Sequence, residues 1–394
     1  MFTMLPMRNS RIIFICFVLL QSSCLDLSSS KSTYRSLTPS YAAVQIVRTD
    51  DDIQFRLDSA TFSVLKSFNY FIQDGVSYIS FFDKQSRSVN IYDFYNRNLI
   101  KRISLKESFH KMSFYKTTVF CKNMDSIWVN NNGYLYFLDS LGQIRYSIEC
   151  PTDPYMAVSA FDNLNPGVLT ENNLYAEARP RMSIADRKNR KKWRVIYRFD
   201  LQNKTAKMLY HLPEGYIKYG YDYGYYYPSY CYNNQGHFVF SFPADTNIYE
   251  TDFLNFNYAY NGKSQFQTGE IEFPEADRVD TKEDVIRREL SNDAYGAIYF
   301  DSHRRRYLRV AERKLSKADF INKRWKKEQS LIIFDENFRI IGESVIDRDI
   351  ALSSLFFTND GSMYARYKIE DDKALHFIRL DYGDSLESNK LASY

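Results

Sequence analysis

The sequence predicts an all-β fold, a six-bladed β-propeller with irregular loop insertions. Three observations predict it. A turn signal followed by an alternating apolar run recurs six times between Gly75 and Gly361, at steps of about 57 residues, long enough for one small sheet per step. An apolar-aromatic run ending in Asp, then a turn and another run, recurs at Asp93, Asp139, Asp200, Asp335 and Asp381. The aromatic share of 17%, with 33 Tyr and 30 Phe, favours strands, and 14 Gly with 10 Pro are too few for a low-complexity chain. A plain sandwich needs too few strands for this length, and a β-helix would repeat at a much shorter period.

The elements follow in order. Residues 1–23 read as a signal peptide: Arg8 and Arg11 precede the apolar run Ile12 to Leu20, too short to span a bilayer comfortably. The run ends at Leu20-Gln21-Ser22-Ser23-Cys24. Small residues before a cysteine at this place resemble a bacterial lipobox, although Gln21 departs from the usual aliphatic residue. That resemblance implies Cys24 as the lipid-bearing N-terminus of the mature chain. Residues 24–40 are Ser-rich and read as a tether, 41–382 as the propeller and 383–394 as a C-terminal tail.

The first repeat is the clearest. Asp74-Gly75 opens the run Val76 to Phe82, a polar break follows, Val89 to Tyr92 closes on Asp93, and Leu99 to Leu105 makes a third run. Asx-Gly between alternating runs is the strongest short-range hairpin signal. The other turns are Asn132-Gly133, Asn172-Asn173, Gln235-Gly236, Tyr295-Gly296 and Asp360-Gly361. An Asp at a strand exit accepts backbone amides of the next turn. Closing the ring requires the ends to meet, so Ala43 to Val47 or Ile53 to Leu57 is expected beside Ala374 to Leu380. Three charged insertions interrupt the pattern: Glu177 to Trp193, Gly262 to Leu290 with a helix capped by Thr281, and Ala311 to Gln329.

With these features in place, the Cys24 signal, the irregular blades and the segments Tyr227 to Cys231 and Ser241 to Pro243 resemble Bacteroidetes lipoproteins of the domain-of-unknown-function 4221 family. The resemblance implies a six-bladed propeller of the TolB-like superfamily and an address in the cell envelope, expected at the outer membrane on either its periplasmic or its surface face. It brings no activity, and no functional residue beyond Cys24.

Residue chemistry narrows the function classes. Without Arg8 and Arg11 the 52 basic residues become 50 against 48 acidic ones, which gives no drive towards nucleic acid. His110, His211, His237, His303 and His376 are dispersed, with no zinc-protease spacing, and no G-x-S-x-G elbow occurs. Cys121, Cys150 and Cys231 lack metal-type spacing, so no metal, cofactor or catalytic residue is assigned, and at most one disulfide is open to them. Carboxylate runs such as Asp50-Asp51-Asp52 and Asp371-Asp372 read as solvated turns. The densest aromatic stretch supplies the candidate ligand-binding residues Tyr219, Tyr221, Tyr223, Tyr225, Tyr226 and Tyr227, since tyrosine offers wide contact area with a hydroxyl; packing between blades is the other reading. The basic strings Arg187 to Lys192 and Arg304 to Arg306 read as solvated loops. The expected function is a membrane-anchored envelope module that binds or scaffolds a glycan, peptide or partner protein. A propeller hydrolase or lyase acting on polysaccharide and a structural subunit of an envelope complex are the alternatives.

Overall fold

The computed structural model describes residues 32–109, 114–183, 186–221, 223–267, 269, 281–369 and 373–384. Cys24, His110 and the pair Asp371-Asp372 lie outside them. The described chain opens with β1 (Thr33–Arg35) and β2 (Val44–Arg56), then lays down six antiparallel sheets. The first holds β3 (Asn69–Gln73), β4 (Val76–Asp83), β5 (Ser88–Asp93) and β6 (Leu99–Ser104). The second holds β7 (Thr118–Asn123), β8 (Ser126–Asn131), β9 (Tyr134–Leu138) and β10 (Ile144–Glu149). The third holds β11 (Ala157–Ala160), β12 (Val168–Leu169), β13 (Asn173–Pro180), β14 (Arg194–Asp200) and β15 (Thr205–His211). The fourth holds β16 (Ser229–Tyr232), β17 (Phe238–Ser241), β18 (Asn247–Thr251) and β19 (Asn257–Asn261). The fifth holds β20 (Ala294–Asp301), β21 (Arg306–Arg313), β22 (Glu328–Phe334) and β23 (Ile340–Ile346), and the sixth β24 (Ile350–Phe357), β25 (Met363–Tyr367) and β26 (Ala374–Asp384).

The ring closes as a propeller must. β2 supplies the outer strand of the sixth sheet, running antiparallel to β26 from Val44 opposite Asp384 to Arg56 opposite Ala374. Both segments expected to close the ring therefore lie on one strand, broken by an irregularity between Arg48 and Asp52. Gly383 and Asp384, expected in the tail, belong to β26. Part of the expected tether is also ordered, because β1 pairs in parallel with β19.

Alternation along each strand sends neighbouring side chains to opposite faces, and here each face meets the adjacent sheet. Phe238 and Phe240 join a core cluster between the third and fourth sheets, while Val239 joins one between the fourth and fifth. Six such clusters occur, one between each neighbouring pair, including the pair that joins sixth to first. Arg309 of β21 fastens two sheets by polar contacts. Its fully buried guanidinium donates to Ser241 Oγ and to the carbonyls of Phe242, Asp245, Thr246 and Gly262, and lies 3.6 Å from the Tyr295 ring centre. Burial pushes its pKa down to about 10, with Tyr295 pulling the other way, so it stays charged at neutral pH.

The turn markers behave unevenly. Asp74-Gly75 and Asn132-Gly133 have positive φ at both residues, as the expected hairpin turns require. Gly296 is not in a turn: it sits inside β20, at a register shift between Tyr295 and Ile298. The Asp marker is more faithful. Asp93, Asp139, Asp200 and Asp335 each accept backbone amides in the turn between third and fourth strands. Asp252 does the same in the fourth sheet. Asp381 instead pairs with Val47, because the sixth sheet takes its outer strand from the N-terminal side and has no such turn.

The insertions carry α1 (Arg187–Lys192), α3 (Lys282–Ser291) and α4 (Lys317–Ile321), and α2 (Glu214–Lys218) lies in the connection from β15 to β16. The start of the first insertion, Glu177 to Pro180, is strand rather than loop, and the basic string after it is a helix capped by Asp186. Thr281 caps α3 as expected, in a capping box with Asp284, and Ser316 caps α4 with Asp319 in the same way.

Candidate functional site

The strands β3, β7, β11, β16, β20 and β24 form the inner edges of the six sheets. In the third sheet this inner edge is broken. β11 pairs with the end of β13 and β12 with its beginning, and residues 161–167 between them leave the sheet to cross the ring axis. Asn163 Oδ1 accepts from Phe68 N at 2.9 Å and its amide donates to the Leu65 carbonyl, both next to the first sheet. Thr118 Oγ1 accepts from Phe161 N on the second. Asn165 donates to the Pro228 carbonyl and accepts from Tyr230 N at the fourth, where Ser229 Oγ donates to the Leu164 carbonyl. Leu164 packs against the cluster of the fifth and sixth sheets. Backbone groups in a dry interior require partners, and these side chains provide them. The crossing loop is thus a fixed plug.

An ionic clamp ties the plug back to its own sheet. Arg179 pairs with Glu177 at 2.6 Å and with Asp162, and its guanidinium lies 5.5 Å from the Tyr227 ring centre. Burial works against the Arg179 charge, and Glu177 followed by Asp162 outweighs it, holding the guanidinium firmly cationic.

On one side of the plug the inner strands enclose an axial pocket of about 540 Å³. Its walls come from β3, β7, β12, β20 and β24, and its floor includes Asn163, Pro166 and Gly167 of the plug. Aromatic rings contribute to it: Tyr70 stacks on Phe356 at 5.6 Å, Phe68 lies 5.0 Å from the same ring, and Phe71, Phe120, Tyr299 and Phe357 also line it, beside the polar Asn69 and Ser354. Gly167 lies flat against Phe120, so close that a Cβ there would stand 2.5 Å from the Phe120 Cδ1.

Lys122 brings the one charge among the described residues that line this pocket. It is the extra residue of a bulge, since Cys121 faces Ile127 and Asn123 faces Ser126. Bulges re-aim a side chain out of the regular alternation, and here the result is an exposed ammonium with no hydrogen bond or ion pair among the described residues. Burial pushes the thiol of Cys121 beside it up to about 12, and Sγ donates to the Asn123 carbonyl. Cys150 is likewise raised to about 11 by burial, and Cys121, Cys150 and Cys231 are all free thiols.

The tyrosine stretch occupies a different place. Tyr221, Tyr225 and Tyr226 are buried in the cluster between third and fourth sheets, with Tyr216 4.5 Å from Tyr221 and the fully buried Trp193 5.4 Å from Tyr226. Tyr219 is 43% exposed beside Lys218, Tyr227 is half-buried beside Arg179, and the Tyr223 side chain lies outside the described residues. Tyr221, Tyr225 and Tyr226 are brought together, but as packing between two blades, away from the axial pocket. Sequence reasoning missed the pocket because its lining is drawn from several sheets. Two local signals were available: Lys122 as a lone charge within a strand, and the polar run Asp162-Asn163-Leu164-Asn165 interrupting the third repeat.

A second concavity, about 810 Å³, lies at the periphery between α3 and α4, lined by Ile286, Leu290, Phe320 and Trp325 with Glu283 and Arg287. It is built by insertions, not by the repeated strands, and its walls are mainly apolar. Among the described residues no helix is long and apolar enough to cross a membrane.

A crystal structure of a DUF4221 family member from Bacteroides vulgatus superposes with a TM-score of 0.73 at 21% identity, covering 87% of this chain and 99% of that one. Virginiamycin B lyase from Staphylococcus aureus is similar at a TM-score of 0.40 and 11% identity, covering 84% of this chain and 99% of that one. No curated protein matches the chain. The family model described as Domain of unknown function (DUF4221) matches residues 43–345. On that match, and with six blades closed into a ring, the chain belongs to the DUF4221 family.

Proposed function

We propose that the chain is a binding module of the bacterial cell envelope, held at a membrane through a lipid on Cys24, and that it recognises its ligand in the axial pocket. The observation that carries this reading is the pocket itself. Inner strands converge on a cavity within the size range of small-ligand sites, with aromatic walls and a single free ammonium. A hydrolase or lyase acting on polysaccharide needs paired acid and base groups; the described lining residues include no Asp, Glu or His. The plug supports binding too, because a rigid wall needs no ordering when a ligand enters.

The reading is tested by titrating ligand libraries of glycans, peptides and small acids against the purified chain and its Leu169→Trp variant, in which the added ring occupies the pocket. Loss of a detected interaction in the variant supports the axial site; an unchanged interaction refutes it. The anchor is tested separately by palmitate labelling in a bacterial host, where label persisting in Cys24→Ala contradicts the lipid assignment. The peripheral groove, where Trp325 is 56% exposed, supports a second reading as a subunit of an envelope complex.

A further inference from the structure

We infer that the axial pocket takes a small amphipathic carboxylate, one acid group on an aromatic or branched apolar body, with Lys122 as its counter-charge. The inference rests on the axial pocket being the binding site and adds the class of ligand. It follows from which polar groups are already engaged. Tyr70 Oη shares a hydrogen with Ser77 Oγ at 2.8 Å and accepts from Asn359 N. Tyr299 Oη donates to the Leu352 carbonyl at 2.6 Å. Ser354 Oγ donates to the Ala351 carbonyl and accepts from Arg366 N. Asn163 spans Leu65 and Phe68. Asn69 Nδ2 donates to the Ser67 carbonyl at 2.9 Å. The side-chain hydroxyls of the wall and the amides of Asn69 and Asn163 therefore hold the fold together.

A neutral sugar entering such a pocket loses water from several hydroxyls and finds few unengaged side chains to replace it. An apolar ring loses nothing of that kind against Phe68, Tyr70 and Phe356. A single ammonium with no competing acid matches one unit of negative charge, and a charge-assisted hydrogen bond is about twice as strong as a neutral one. A doubly charged phosphate would call for more donors than Lys122 supplies. The bulge at Lys122 is the local device that gives this wall its one charge among the described lining residues.

The experiment uses three probes against the purified full chain by isothermal titration calorimetry at low salt: 4-phenylbutyrate, 4-phenylbutanamide and glucuronate. The expected result is saturable binding of 4-phenylbutyrate, about tenfold or more weaker binding of the amide, and no binding of glucuronate. Lys122→Gln, at an exposed position that leaves folding intact, is expected to weaken 4-phenylbutyrate about tenfold or more, and Lys122→Arg to retain it. Equal affinity for acid and amide, indifference to Lys122→Gln, or binding of glucuronate in its place overturns the ligand class. If binding is also lost in Leu169→Trp, the pocket stands while the class falls. Binding that survives Leu169→Trp overturns both, and no binding of any probe overturns the ligand class alone.

Discussion

Replacing Gly167 with alanine puts a methyl group 2.5 Å from Phe120 Cδ1 and nearer still to Cγ, well inside van der Waals contact. Gly167 is on the plug's return path and Phe120 on β7, so the clash falls between pocket floor and pocket wall. Phe120 has little room to withdraw: it is 7% exposed and its ring lies 5.7 Å from Phe161, the first residue of the plug. Inserting a methyl into packing this tight costs about 1–3 kcal/mol. Trimming the ring relieves the clash, so Phe120→Leu in the Gly167→Ala background is expected to restore part of the loss. The assay is urea unfolding of wild type, both single variants and the double. A coupling energy of about 1 kcal/mol or more in the relieving direction is expected for residues in such contact. Costs that add to within about 0.5 kcal/mol would refute the idea that the plug leans on this ring.

Other perturbations probe separate parts of the molecule. Arg309→Met strips the donors from four carbonyls and one hydroxyl in a dry interface and is expected to cost about 3–5 kcal/mol in chemical denaturation, with Arg309→Lys costing less. Tyr226→Ala, deep between the third and fourth sheets, is expected to cost about 3–5 kcal/mol, whereas Tyr219→Ala at the surface stays within about 0.5. Equal effects would show that the tyrosine stretch does not pack as described. Lys84 is lowered to about 8, by burial first and then by Lys66. A base held below its unfolded value binds fewer protons when folded, so stability rises as pH climbs from about 8 towards 10.5. Lys66→Met is expected to flatten that rise in thermal melts taken across this range.

Much of the fold was legible because a propeller repeats its local chemistry. The Asp that closes the third strand accepts the amides of the following turn in the blades that have such a turn, so Asp93, Asp139, Asp200 and Asp335 announce themselves. Glycine was a less faithful marker. Gly75 opens the turn between first and second strands, Gly133 the turn between second and third, and Gly296 relaxes a bulge, so one residue type answers three different needs. The candidate site was hardly legible. Tyr221, Tyr225 and Tyr226 looked like a recognition loop because tyrosine suits both recognition and packing, and only burial separates the two uses. Lys122 could not be joined to Tyr299 or Phe356 from sequence, since their meeting depends on ring closure and on the path of the plug.

The arrangement separates what stabilises this propeller from what it presents. The plug is held by Asn163, Asn165, Ser67 and Ser229, each bonded to backbone across the axis. Exchanging any of these leaves buried backbone groups without partners, at about 1–3 kcal/mol each. The pocket surface, by contrast, is set by half-exposed groups such as Ile72, Leu169 and Phe357, and by a lysine that bonds to nothing in the described fold. Changes there move shape and charge with little effect on folding. A scaffold divided in this way can alter its ligand while keeping its plug. Family members that differ at Lys122 should then differ in the charge of the ligand they bind and unfold at similar denaturant concentrations, and a shared ligand despite opposite charge at that position would break the link between bulge and specificity.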